Sequence, residues 1–113
     1  MINIPITNIP NQSLSIPLDD NNYEIRIHCC NDNFELGTSI MAVDIYKNDE
    51  VIVLGMRAQC GTPLLPFPYM QTDGNFIFVT SNDEYPNWRL FGVNQYLIYV
   101  SRSELRDIYD ESV

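Results

Sequence analysis

"YEIRIHC", residues 23–29, alternates apolar and polar side chains without a break. Side chains of a strand point to opposite faces in turn, so Tyr23, Ile25, Ile27 and Cys29 share one face and Glu24, Arg26 and His28 the other. The stretch therefore reads as a strand with one buried and one wet face. It follows "LDDNN", residues 18–22, a cluster of turn formers. Before that turn, "SLSIPL" (13–18) sends Leu14, Ile16 and Leu18 inward. Pro17 cannot donate to a ladder, which marks this segment as an edge strand.

Working outward, strand and turn signals keep alternating. "SIMAVDIY" (39–46) and "VIVLGMRA" (51–58) flank "KNDE", whose Asn48-Asp49 tip is a hairpin signal. Asp73-Gly74 marks a turn ahead of "NFIFVTS", and "QYLIYVSR" is the last strand. The class is all-β: a small antiparallel β-barrel or sandwich of about six to eight short strands, with barrel and sandwich both open. "VIVL", "FIFV" and "YLIYV" are apolar on both faces. Such strands are central in a closed or stacked sheet, or another chain covers their outer face; the short chain favours some burial by partners. Ser101 and Glu104 have capping-box spacing, and Leu105, Ile108 and Tyr109 then share a helical face. The organisation expected is a single β domain over 1–102 and a short acidic C-terminal helix or tail over 103–113.

At 113 residues the chain is one domain, and 45% hydrophobic composition suits a folded one. Six basic residues stand against fifteen acidic ones, a formal net charge of -9. With the basic residues scattered, specific nucleic-acid binding and attraction to anionic membranes are not expected. No run approaches the roughly 18 apolar residues of a membrane span, so membrane insertion is not expected. "MINIPITNIP" lacks the charged start and apolar run of a signal peptide. Three cysteines, two of them adjacent, make no even disulfide framework, which points to reduced thiols and synthesis in a cytoplasm.

Residues that carry chemistry are few. His28 is the single histidine and lies mid-strand on the polar face. A metal site from His28, Cys30 and Cys60 lacks a second ligand pair. Cys60 as a nucleophile lacks an evident base or helix N-terminus. The five glycines are isolated, so no phosphate loop is present, and Asp19-Asp20 and Asp83-Glu84 sit in turn-like polar segments. No catalytic, metal or cofactor-binding residue is expected, and no cofactor.

Two stretches read as turn or protein-contact elements instead. In "GMRAQCGTPLLP" (55–66), Gly55 lets the strand bend or another backbone approach closely, Arg57 meets an acidic neighbour, and Gly61 and Pro63 turn the chain. Leu64, Leu65 and Phe67 are then delivered to a hydrophobic surface, internal or on a neighbour. "EYPNWRLFG" (84–92) gathers Trp88 and Phe91 into a loop pinned by aromatic burial at a candidate protein contact.

The order of segments resembles the baseplate plug proteins of contractile-tailed phages, a family of the cyanophage baseplate type. The resemblance rests on Ile9-Pro10-Asn11-Gln12 with its alternating strand, Asp44-Ile45-Tyr46 before a short turn, Gly55-Met56-Arg57 with Gly61-Thr62-Pro63-Leu64-Leu65, and the closing Tyr99-Val100. It covers roughly residues 4 to 100. Cys29-Cys30 and the charged tail from Ser103 depart from the family pattern. The resemblance implies a virion structural protein without catalysis at the tip of the tail tube. It would join tube, hub and spike in several copies around the tail axis, and the charge of -9 suggests carboxylates facing the DNA path. The alternatives are a stand-alone β module binding carbohydrate or protein through Trp88 and the tyrosines, and a small enzyme using Cys60 or His28.

Overall fold

A computed structural model of the chain describes residues 1–61, 63–65, 74–81 and 84–104. Among the described residues seven strands are present: β1 (Ile2–Ile4), β2 (Gln12–Leu18), β3 (Asn21–Asn33), β4 (Thr38–Lys47), β5 (Glu50–Arg57), β6 (Gly74–Val79) and β7 (Tyr96–Ser101). They form two antiparallel sheets, ordered β2-β3-β4-β5 and β1-β7-β6. The sheets do not close into a barrel; they face each other as in a sandwich, which decides between the two architectures left open above. Arg102–Glu104 open a short C-terminal helix, and Leu105, Ile108 and Tyr109 lie outside the described residues.

The larger sheet is a meander whose register follows from its turns. Leu18 pairs with Asn21 and Lys47 with Glu50, leaving the two-residue loops Asp19-Asp20 and Asn48-Asp49. All four loop residues have positive φ, from 48° to 68°. That conformation matches the right-handed twist of the flanking strands, and Asn and Asp tolerate it better than most residues. The two turns lie side by side at one end of the sheet. Asn48 N–H donates to the Asn22 carbonyl (2.7 Å), and Asn22 N–H donates to Asn48 Oδ1 (2.9 Å).

Alternation in β3 sets the core. Tyr23, Ile25 and Ile27 are buried, and Glu24, Arg26 and His28 stand on the outer face. Opposite them, β6 and β7 supply Phe76, Phe78, Leu97 and Tyr99, all at or below 1% exposure. Tyr23 meets Phe76 edge-on at 5.3 Å and Tyr99 at 6.0 Å, which locks the sheets together. Each fully buried side chain of this size contributes about 1.5–3 kcal/mol of transfer free energy. The β2 strand lies at the sheet edge, as Pro17 required, with Leu14 and Ile16 half-buried against the core.

Of the three strands apolar on both faces, only β7 is central. The β6 strand is an edge of its sheet, and the segment after β5 runs along that edge, bridging at Cys60 and Phe78. Among the described residues the β5 strand is a free edge of the larger sheet, with Val51 54% and Leu54 62% exposed. Its apolar outer face is therefore not explained by burial within the described chain. The N-terminal β1, which pairs with β7, is a strand the sequence did not announce.

Candidate functional site

Gly55 sits where β5 slips against β4, between the pairs Val43–Met56 and Ile45–Val53. Its φ of +63° fits a bulge that glycine enters without strain. Asp44 holds the bulge: its Oδ1 accepts the Gly55 N–H at 2.7 Å, and its Oδ2 lies 2.6 Å from His28 Nε2. Burial opposes ionisation of Asp44, but the Gly55 N–H and His28 outweigh it and hold the carboxyl below the usual carboxylate range. His28 is thus paired across the sheet to an acid that serves the bulge.

The chain then lays itself along β6. Gly61, at φ +69°, donates its N–H to the Phe78 carbonyl (3.0 Å), and Leu64 N–H donates to the Phe76 carbonyl (2.9 Å). The buried Asn75 side chain clamps the next peptide: Oδ1 accepts the Leu65 N–H and Nδ2 donates to the Leu65 carbonyl, both at 3.0 Å. Leu64 and Leu65 are each 1% exposed and fill the chain's own core, while Pro63 is half-buried. Of the two destinations open for these leucines, the internal one is the one observed. Phe67 lies outside the described residues.

A second buried amide fastens the second loop. Gln95 Oε1 accepts the Asn87 N–H (2.7 Å), and Gln95 Nε2 donates to the Tyr85 carbonyl (3.2 Å). Asn87 caps the 3-10 turn Trp88–Leu90 by accepting the Arg89 N–H. From that turn, Trp88 Nε1 donates to Asp32 (3.2 Å), and the Arg89 guanidinium pairs with the same carboxylate at 2.9 Å. Arg89 also covers the Trp88 ring at 4.6 Å. Phe91 is buried and stacks on Phe78 at 5.7 Å. The tryptophan and Phe91 are therefore spent on joining the loop to β3 and to the core. A sugar-stacking platform needs an open ring face, and Trp88 already carries a guanidinium on one of its faces.

Arg57 ends β5 with its guanidinium over the Tyr85 ring, 5.3 Å from the centroid. An acidic neighbour was expected; among the described residues the ring is what it covers. These two side chains border a half-open cleft of about 710 Å³ between the far end of the β3–β4 hairpin and the 84–90 loop. Asn31, Asn33, Ile40 and Leu90 contribute to its walls.

None of the three cysteines is among the described residues that line the cleft. Burial, followed by the Asp32 charge, pushes the Cys29 thiol above its ordinary value, the reverse of what a nucleophile needs. All three cysteines are free thiols. Among the described residues no group of three or more His, Cys, Asp or Glu is placed to hold a metal. Asn75 and Gln95, which position both loops, were not singled out from the sequence. An amide in a strand reads as solvent-facing, and only the partner loop reveals its use.

The arrangement is that of a small β-sandwich subunit whose sequence motifs act on the fold itself. The chain belongs to the family described as the cyanophage baseplate Pam3 plug gp18, whose family model matches residues 1–103. No curated protein matches the chain. Membership makes it a phage virion structural protein of the tail baseplate, associated with other baseplate proteins. Among the described residues no helix is long and apolar enough to cross a membrane.

Proposed function

We propose that the chain acts without catalysis as a plug at the tip of the contractile tail tube, joining tube to hub and spike in several copies around the tail axis. The family match over residues 1–103 carries this reading. Supporting it, the free β5 edge exposes Val51 and Leu54, apolar surface that an assembly would cover. The net charge of -9 fits carboxylates turned toward a DNA path, where they repel phosphate. Synthesis in the host cytoplasm accords with free thiols. Among the residues singled out, we assign Gly55, Gly61 and Pro63 to turning the chain, and Leu64, Leu65 and Phe91 to the core. Arg57 and Trp88, at and behind the cleft, are the ones we assign to the side that meets a neighbour.

Peptide mass spectrometry of purified tail particles, followed by imaging of the tail tip, tests the proposal. The expected result is this chain at a low fixed ratio to the tube protein, with density on the axis at the tip. Absence from intact particles would overturn it, and so would density away from the axis.

A further inference from the structure

The hairpin joining β3 to β4 ends in Phe34-Glu35-Leu36-Gly37. Phe34, 83% exposed, and Leu36, 74% exposed, are the two most exposed large hydrophobic side chains among the described residues. The tip is nevertheless held firmly. Asn33 Oδ1 accepts the Leu36 N–H (3.1 Å), and Asn87 Nδ2 donates to the Gly37 carbonyl (2.5 Å). Trp88 and Arg89 grip Asp32 just before the tip, and the Arg89 guanidinium lies 5.6 Å from the Phe34 ring centroid. A loop from the other sheet is thus spent on fixing a hairpin that shows two apolar side chains to water.

Apolar anchors presented in a fixed geometry bind without the entropic cost of ordering a loop. The charge around them selects the partner. Asp32 is neutralised by Arg89, which leaves Glu35 as the carboxylate between the two anchors. A second copy meeting this tip symmetrically would set its own Glu35 against this one. Like charge disfavours that pairing and favours a partner with basic residues. We infer that the β3–β4 tip is a docking knob for a different protein, one offering an apolar pocket for Phe34 and Leu36 with a basic rim for Glu35. This rests on the plug reading, since the partner is then another baseplate component.

The test compares incorporation of the wild-type chain and the F34S/L36S double variant into tail particles, after both show the same melting temperature. The side chains are exposed, so the fold should survive. Expected is wild-type incorporation with the variant reduced at least tenfold, and an intermediate loss for Glu35→Lys. Variant incorporation at the wild-type level overturns the knob and leaves the plug reading standing. Absence of the wild-type chain from particles overturns the plug reading, and the knob falls with it. A photo-crosslinking residue at position 34 of an otherwise wild-type chain gives a readout that does not depend on the double variant folding. A cross-link to a different particle protein supports the inference, and a cross-link to another copy, or none in loaded particles, overturns it.

Discussion

Asn75 and Gln95 are 0% exposed, and each hands both ends of its amide to the backbone of one loop. Replacing Asn75 with Leu leaves the Leu65 N–H and carbonyl without these partners. We expect a loss of about 1–3 kcal/mol in urea unfolding, because two hydrogen bonds of about 0.5–1.5 kcal/mol each are removed. Gly74 faces a different constraint, since a Cβ there would stand 2.4 Å from the Val100 carbonyl oxygen and 2.6 Å from the Tyr99 hydroxyl. Gly74→Ala should cost about 1–3 kcal/mol by overpacking, read in the same way. Asp44 supplies a pH signature. Its folded-state pKa lies below its unfolded one, so its stabilisation is fully present above the ordinary carboxylate value of about 3.9 and fades as pH falls below that. The stability gap between wild type and Asp44→Asn should therefore shrink as pH falls below about 4. A gap of constant size across that range would remove the claim that ionised Asp44 holds the bulge. At this scale the sequence was legible where chemistry is local, as in the positive-φ pair Asn48-Asp49, and opaque where one amide serves a distant loop.

Elements were read best where alternation was long. The β3 strand announced itself because seven residues alternate cleanly, and burial of Tyr23, Ile25 and Ile27 follows that pattern. The β1 strand is three residues long and next to prolines, too short to set up a period; its pairing with β7 is decided by tertiary packing. Strands apolar on both faces were harder to place. Hydrophobicity alone could not tell β7, central in its sheet, from β5, an open edge. The candidate contact loops were visible as clusters, yet their direction was not, and Leu64, Leu65 and Phe91 proved internal. Trp88→Phe removes the indole donor to Asp32 while keeping an aromatic ring, so amides of residues 31–40 should exchange hydrogen at least several-fold faster while those of β7 are unchanged. Uniform acceleration over both sheets would mean that Trp88 stabilises the whole core and not the hairpin.

As a whole molecule the chain has more apolar edge than a lone sandwich needs. Val51→Lys with Leu54→Lys should change unfolding free energy by less than about 0.5 kcal/mol per site, because both side chains stand in water. The same pair should reduce concentration-dependent association measured by sedimentation. If stability instead falls sharply, β5 is not the free edge described. The staple between the two tight turns also has an electrical consequence. A meander of four strands puts both of its two-residue turns at one end, so Asp19, Asp20, Asp49 and Glu50 gather there against Lys47. At the far end Arg57 and Arg89 stand among Asp32, Glu35 and Glu84. Counting these residues alone, the excess of negative charge is larger at the turn end than at the far end. A charged surface would exert a torque on the sheet before any side chain touches, so that the subunit arrives already turned to a preferred end.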